Sequence, residues 1–114
     1  MSSVRLQSVT KRFGEHVAVK EFSLEIAEGE FLVLLGPSGC GKTTTLRMIA
    51  GFVEPSGGRI FFGNREVTEL PPHRRNTGLV FQGYALFPHL SVFENIAFGL
   101  KMRKLDPAEV ERRV

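Results

Sequence analysis

The residues with the most specific chemistry form a glycine-rich run that fits the pattern G-x-x-x-x-G-K-[ST] without a gap. The run is Gly36-Pro37-Ser38-Gly39-Cys40-Gly41-Lys42-Thr43, and Thr44 follows it. Glycine tolerates positive φ, so main-chain N–H groups in such a run can approach phosphate oxygens closely. The lysine at its end reaches the β- and γ-phosphates of a nucleotide, and the hydroxyl after it ligates Mg²⁺. The run therefore predicts a phosphate-binding loop in which Lys42 and Thr43 are the functional side chains.

The segments on either side of this loop predict the elements that position it. Phe31–Leu35 is a continuous apolar segment bounded by turns, which predicts a strand buried on both faces, as in a parallel sheet. Lys42–Ala50 predicts a helix, with Gly51 as its C-terminal cap. The N-terminus of that helix, with free N–H groups and a partial positive charge, would point at the bound anion. The face predicted to be buried consists of Leu46, Ile49 and Ala50.

Alternation, turns and caps predict the remaining elements. The predicted strands are Val4–Phe13, the alternating Phe22–Ile26, Arg59–Phe62 and Gly78–Phe81, the last of which ends at Gln82. Ser91-Val92-Phe93-Glu94 is a capping box that opens a helix running to about Arg103. Asp106-Pro107 predicts another helix start, but only eight residues follow Asp106. We therefore expect the chain to be a fragment of a longer protein.

Composition and charge narrow the class of protein. With 114 residues, 42% apolar and 24% charged, the chain resembles one small soluble domain. It has no run of about 18 apolar residues and no secretory pattern at its start, so we expect a cytoplasmic protein. The basic pairs predict solvated surface charge rather than a nucleic-acid interface, because they are separated and have no aromatic platform between them. These pairs are Arg74-Arg75, Arg103-Lys104 and Arg112-Arg113.

Cys40 is the only cysteine and lies inside the phosphate loop. A single cysteine excludes an internal disulfide framework and suits a reducing compartment. A thiolate beside a helix N-terminus and a lysine would be stabilised. We nevertheless interpret Cys40 as a packing residue rather than a nucleophile, because no nearby residue would act as its base. Alkylation of Cys40 should still block nucleotide binding, and bound ATP should protect it.

Two separated stretches resemble a known family. Gly36–Thr44 followed by Leu46–Gly51 closely resembles the Walker A region of ABC ATPases, and Val80-Phe81-Gln82 resembles their Q-loop. Tyr84–Val92 and Glu94-Asn95 resemble the segment after that loop. The similarity covers essentially the whole chain. It is closest to the subunits that power binding-protein-dependent importers of sugars, polyamines, sulfate or ferric iron.

The resemblance implies an α/β fold of the P-loop NTPase class, ABC ATPase type. This portion would comprise an N-terminal antiparallel β subdomain, part of the parallel-sheet core and the start of the helical subdomain. All of residues 1–114 would then be the N-terminal portion of a nucleotide-binding domain. Residues 1–82 would be roughly the ATP-binding core, and residues 83–114 the Q-loop exit and the start of the helical subdomain.

The resemblance also implies roles for individual residues, with ATP and Mg²⁺ as cofactors. Phe13 falls at the A-loop position, where an aromatic ring stacks on adenine; the alternative is a core residue of the first strand. Gln82 falls at the Q-loop position, where the side chain reaches Mg²⁺ and helps arrange the attacking water. Lys42 and Gln82 are thus the predicted catalytic residues, and Thr43 and Gln82 the Mg²⁺ ligands. The implied nucleotide-binding residues are Phe13, Gly36, Pro37, Ser38, Gly39, Cys40, Gly41, Lys42, Thr43, Thr44 and Gln82.

An aromatic and apolar loop after Gln82 is the predicted docking surface. In the family this region belongs to a groove that receives a coupling helix of a membrane permease subunit. The alternative is a loop that merely anchors itself on the core; we favour docking because an exposed apolar patch requires a partner. The docking residues are Tyr84, Ala85, Leu86, Phe87 and Pro88. The resemblance further implies a head-to-tail dimer with a second copy when full length and a peripheral location on the inner face of the plasma membrane. The separated basic pairs lead us to expect no nucleic-acid partner.

The acidic residues limit the expected catalysis. Asp106 is the only aspartate among twelve acidic residues, and its predicted place is a helix cap. The family's signature motif, catalytic carboxylate and switch histidine would lie further along. We therefore expect this chain to bind Mg-ATP without turning it over. A small phosphotransferase and a non-transport ABC ATPase fit the pattern less well, whereas a truncated standalone nucleotide-binding module without catalysis stays open as the alternative.

Overall fold

The computed structural model describes residues 2–114, which form two compact units, one ending at Leu79 and the other spanning Val80–Val114. The first unit contains β1 (Val4–Phe13), β2 (His16–Ile26), α1 (Lys42–Ala50), β3 (Gly57–Phe62), β4 (Arg65–Glu66) and a short 3-10 turn (Pro72–Arg74). The second contains α2 (Val92–Met102) and α3 (Pro107–Arg113). None of the helices in residues 2–114 is long and apolar enough to cross a membrane.

The four strands form one antiparallel sheet in the order β2-β1-β3-β4. A tight turn at Gly14-Glu15 joins β1 to β2, and such a short link permits only antiparallel pairing. One side of the sheet is buried, and Met48 of α1 belongs to the same core. The buried members of that core are Leu6, Val9, Val19, Met48, Ile60 and Val67. The antiparallel sheet and α1 together form the body that carries the phosphate loop.

Helix α1 begins and ends where the sequence predicts. Gly51 adopts φ +93° and donates its N–H to Arg47 O at 2.9 Å, which closes the helix as a C-terminal cap. The predicted buried face was partly wrong, since the structure buries Thr45, Met48 and Ala50 and leaves Leu46 exposed. The Thr45 hydroxyl donates a hydrogen bond to Gly41 O at 2.8 Å. Because its hydrogen-bonding group is paired within the helix, this polar side chain can be buried on the inner face.

Two predicted strands do not form in this chain. Phe31–Leu35 and Gly78–Phe81 do not form strands, and Leu35 and Val80 are 88% and 87% exposed. A strand exists only through hydrogen bonds to a neighbour. The sheet of the described residues consists of β1–β4, and neither segment belongs to it. The predictions of buried parallel strands at these two segments were therefore wrong.

The second unit is organised by the caps of its helices. Ser91 and Glu94 form the predicted capping box: Ser91 Oγ accepts from Glu94 N, and Glu94 Oε2 accepts from Ser91 N at 2.7 Å. The hydrogen bond from the Ser91 N–H lowers the pKa of Glu94, because it stabilises the carboxylate. Asp106 caps α3 by accepting from Ala108 N at 2.9 Å. Both carboxylates are thus engaged in helix caps, as the sequence predicts.

Candidate functional site

The glycine-rich run forms a loop of turns that leads directly into α1. Gly39 and Gly41 adopt φ of +81° and +95°, and Gly41 is the N-cap residue of the helix. No side chain among the described residues caps this N-terminus, and the first turn of α1 carries no acidic residue. The first N–H groups of a helix have no intrahelical acceptor. At α1 they are therefore oriented to bind an anion, with the positive end of the helix dipole behind them.

Both the positive φ of Gly41 and the lack of room around it require glycine at this position. A Cβ at this position would lie 2.5 Å from the main-chain oxygen of Ala18 and 3.1 Å from Val19 Cγ2. The N-terminus of α1 therefore packs directly against the backbone of β2, which any larger residue would prevent. This contact anchors the phosphate loop to the antiparallel sheet.

The lysine of the motif folds over its own loop. Lys42 Nζ donates to the main-chain oxygens of Gly36 and Pro37, the latter at 3.0 Å. The Cys40 side chain packs against Gly36, where an added Cβ would lie only 2.6 Å from the Cys40 Sγ. The loop thus holds an ammonium group and the open end of α1 in the same place. That combination is the chemistry expected of a binding site for phosphate groups.

A cavity of about 280 Å³ lies between this loop and β2. Its volume lies near the lower end of the roughly 300–1,000 Å³ of typical ligand pockets. Its lining consists of Ala18, Val19, Lys20, Phe22, Leu34, Leu35, Cys40, Gly41, Lys42 and Thr45. Thr43 is exposed at the start of α1, and Thr44 is half-buried.

Phe13 is the last residue of β1 and is 50% exposed. The buried residues of that strand are Leu6 and Val9, so Phe13 lies outside the core. Lys11 Nζ lies over the ring, 5.2 Å from its centroid. A half-exposed aromatic side chain of this kind provides a flat apolar surface on which a planar ligand can stack.

Residues 19–114 match the sequence model of the family described as ABC transporter. The chain belongs to the ABC transporter family. It is 61% identical over 112 residues to the spermidine/putrescine import ATP-binding protein of Rubrobacter xylanophilus, covering 98% of this chain and 30% of that protein. It is 55% identical over 120 residues to the trehalose/maltose import ATP-binding protein of Thermococcus litoralis, covering 100% and 32%. The ABC chain thus spans about a third of the length of these relatives.

Solved structures confirm the fold class of this ABC chain. A dimeric ATP-binding cassette in a post-hydrolysis state with ADP and Pi aligns with a TM-score of 0.85 at 33% identity, covering 96% of this chain and 53% of that one. A nucleotide-free ATP-binding cassette from an ABC transporter aligns with a TM-score of 0.76 at 27% identity, covering 96% and 45%. The predicted P-loop NTPase fold of the ABC ATPase type is therefore confirmed, and the N-terminal antiparallel subdomain corresponds to β1–β4.

The predicted residues of the ABC chain fall in different units. Phe13 and Gly36–Thr44 belong to the unit that ends at Leu79, whereas Gln82 and the docking loop belong to the second unit. Gln82 is exposed in a turn after Phe81, and its approach to Mg²⁺ stays a prediction. Tyr84 and Ala85 adopt positive φ of 65° and 55°, so this turn is shaped by two non-glycine residues in the left-handed region.

The predicted docking loop contains both exposed and anchored residues. Tyr84 and Leu86 are 77% and 70% exposed. Phe87 instead packs its ring against Phe98, with centroids 4.6 Å apart, and contacts His89 edge to face. Anchoring of the loop therefore applies to Phe87, while Tyr84 and Leu86 remain available to a partner. Ala85 and Pro88 are also exposed.

Asn95, in the first turn of α2, anchors this loop, although no role was predicted for it from the sequence. Its Oδ1 accepts from Phe87 N at 2.9 Å. Its Nδ2 donates to the main-chain oxygens of Phe87, Leu90 and Ser91, at 3.2, 3.2 and 2.9 Å. One carboxamide thus fixes the backbone at both ends of the Phe87–Ser91 segment. An asparagine in the first turn of a helix, beside a capping box, was the available signal.

The sequence-based prediction for Arg75 was wrong. It was predicted as surface charge, but it is only 5% exposed. Its guanidinium donates to four main-chain oxygens, those of Met48, Ile49, Thr68 and Leu70, at 2.7 to 3.1 Å. Burial lowers the pKa of Arg75, because desolvation disfavours its charged form. Arg75 therefore joins the C-terminal end of the phosphate-loop helix to the segment around Thr68–Leu70.

Proposed function

We propose that this chain is the ATP-binding part of an ABC importer ATPase, with Mg-ATP bound at Gly36–Thr44. The observation that carries the proposal is the uncapped N-terminus of α1 with the Lys42 ammonium held in the loop before it. The relatives support an importer, since their names assign them to spermidine/putrescine and to trehalose/maltose import. In the intact protein, ATP binding and hydrolysis would be coupled to uptake of a solute.

Each residue has a separate task in this proposal. Lys42 would transfer its hydrogen bonds from the loop oxygens to the β- and γ-phosphates, while the N–H groups of the loop and of α1 hold the remaining phosphate oxygens. Phe13 would stack on adenine, a contact worth about 1–3 kcal/mol for base–aromatic pairs. The ring is positioned for this because it is exposed at the end of a paired strand rather than in the core.

The oxygen donors present fit Mg²⁺. Thr43 offers a hydroxyl at the start of α1, and Gln82 offers a carboxamide oxygen. Mg²⁺ prefers hard oxygen ligands and takes the rest of its coordination from substrate phosphates and water. Bound Mg²⁺ would neutralise charge on the β- and γ-phosphates. Thr43 and Gln82 would hold the Mg²⁺ ion, and Gln82 would also help to position a water.

We further propose that this chain alone binds ATP without hydrolysing it. Hydrolysis requires a group that positions or activates the attacking water. Glu94 and Asp106 are instead occupied in the caps of α2 and α3. Turnover would thus belong to the longer protein, in which two copies pair head to tail.

The membrane permease would contact the second unit. Tyr84 and Leu86 form an exposed apolar surface, while Phe87 and Asn95 hold the loop in place beneath it. An exposed patch on a fixed support is suited to receive a coupling helix. The protein would then lie peripherally on the inner face of the membrane.

The test is ATP binding by the 114-residue chain, measured by titration calorimetry with Mg²⁺. We expect saturable binding, and a loss of about tenfold or more for Lys42→Ala, since charge-assisted hydrogen bonds contribute about 1.5–3 kcal/mol. Lys101→Ala is the matched control, because it removes the same charge from an exposed position of α2. Phosphate release should stay at the level of the protein-free blank. Absence of ATP binding, or equal binding by Lys42→Ala, would contradict the proposal.

A further inference from the structure

A second residue accompanies Phe13 at the end of β1. Lys11 lies two positions earlier, and its Nζ lies over the Phe13 ring at 5.2 Å from the centroid. A cation within about 6 Å of a ring centroid is attracted to the negative face of the π system. The same Nζ donates to the main-chain oxygen of Glu54 at 2.7 Å. The ammonium is therefore held by a fixed acceptor while it covers one face of the ring.

The turn that contains the acceptor, Glu54, is hydrogen-bonded to β1 through Ser56. Ser56 N donates to Thr10 O at 2.7 Å, and Arg12 N donates to Ser56 Oγ at 3.0 Å. Together with the Lys11 contact, these bonds join residues 54–56 to residues 10–12 at three points. Residues 54–56 follow the C-terminal cap of α1, so the strand that carries Phe13 is connected to the phosphate-loop helix through this turn.

We propose that Lys11 is a positioning residue for the Phe13 ring. It occupies one face of the ring and leaves the opposite face as the platform for a nucleotide base. The half-exposed state of Phe13 agrees with one covered face. This inference rests on the proposed function, because it assigns a role to a residue beside the same nucleotide site.

The expected size of the effect follows from the order that Lys11 imposes. A ring that rotates freely must be immobilised when a base stacks on it, whereas a ring already held has lost that freedom. Immobilising one side chain on binding lowers affinity by about two- to tenfold. Loss of Lys11 should therefore weaken binding of a ligand that has a base, and leave a ligand without a base unaffected.

The contact between the Lys11 ammonium and the Phe13 ring can be tested in the absence of nucleotide. The chain contains no tryptophan, so Phe13→Trp introduces a single indole at the ring position, which can be excited selectively over Tyr84. Adding Lys11→Ala should increase quenching of this reporter by acrylamide, and Lys11→Arg should restore protection because it retains the cation. Arg12→Ala is the control, since it removes the same charge from the neighbouring residue. Equal quenching with and without Lys11 overturns the proposal.

The role in binding is tested with Mg-ATP and with inorganic tripolyphosphate, which has no base. Lys11→Ala should weaken ATP binding about two- to tenfold and leave tripolyphosphate unchanged, and it should have no further effect in a Phe13→Ala background. An equal loss for both ligands, or an undiminished effect without Phe13, overturns the inference alone. If the unchanged chain binds neither ligand, the proposed function fails and the inference fails with it, while the quenching result still reports on the contact.

Discussion

Arg75 Nη1 donates a hydrogen bond of 2.7 Å to the main-chain oxygen of Met48, in the last turn of α1. Carbonyl groups at a helix C-terminus have no intrahelical donor, and here a buried guanidinium supplies one. Met48 is itself a buried member of the core. The helix that begins at the phosphate loop is therefore fixed at its far end by a side chain 27 residues away in sequence.

Replacing this arginine should destabilise the first unit strongly. We expect Arg75→Met to lower the free energy of unfolding by about 2–4 kcal/mol, because several buried carbonyl oxygens lose their donor and each unsatisfied group costs about 1–3 kcal/mol. Urea denaturation followed by circular dichroism measures the change. Arg74→Met is the matched control, since Arg74 is exposed and its loss should change stability by less than about 0.5 kcal/mol. Equal stability of the two variants would refute a structural role for Arg75.

Gly41 should tolerate no side chain. Gly41→Ala combines a φ of +95° with a Cβ 2.5 Å from Ala18 O, so we expect a loss of stability of about 1–3 kcal/mol and displacement of the phosphate loop. ATP binding by calorimetry should fall by more than about tenfold, the fold-change that corresponds to 1.4 kcal/mol. Gly57→Ala serves as the comparison, because a Cβ there meets nothing within 4 Å. Normal ATP binding by Gly41→Ala would show that this contact does not shape the loop.

Asn95→Asp should loosen the loop that carries Tyr84 and Leu86. The change keeps the acceptor for Phe87 N but replaces the donating Nδ2, whose two hydrogens are shared by three main-chain oxygens, with a carboxylate oxygen that those oxygens repel. Amide hydrogen exchange should accelerate at Phe87 and Leu90, since local opening exposes their N–H groups. Asn64→Asp, at an exposed turn, provides the control. Unchanged exchange at Phe87 in Asn95→Asp would argue against Asn95 as the anchor.

Helix α3 should lose stability in acid through Glu109. Hydrogen bonds from Arg112 and then Arg113 lower the pKa of Glu109 from 4.5 to about 2. A folded-state pKa below the unfolded one gives stability that is present above pH 4.5 and is lost as the pH falls towards 2. The far-UV circular dichroism of the chain, to which α3 contributes, should lose helical signal across that window. Glu109→Gln should flatten the decline, whereas Glu111→Gln, at an exposed position, should preserve it; identical profiles for all three chains would exclude this mechanism.

Local signals made much of the fold predictable. The ends of α1, the αL cap at Gly51 and the Ser91–Glu94 capping box are each encoded within a few residues, and the structure confirms all three. The prediction of a strand at Phe31–Leu35 was wrong. An apolar run predicts burial, but whether it forms a strand depends on a hydrogen-bonded neighbour that is distant in sequence.

Arg75 and Lys11 escaped prediction for the same reason. Their acceptors on Met48 and Glu54 are main-chain oxygens 27 and 43 residues away. Every residue has a main-chain oxygen, so the residue type at the acceptor position does not indicate the contact. The phosphate loop could be recognised because its chemistry is contained in nine consecutive residues, Gly36–Thr44. The residues that brace it are scattered along the chain.

The cation at the end of α1 also changes the electrostatic character of that helix. An isolated helix has about half a positive charge at its N-terminus and half a negative charge at its C-terminus. In α1, nine residues and ~13 Å long, the full charge of Arg75 more than offsets the negative pole. The C-terminal end of α1 therefore does not present an uncompensated negative pole. An anion arriving at Gly41 is attracted by a field from which the opposing pole has been removed.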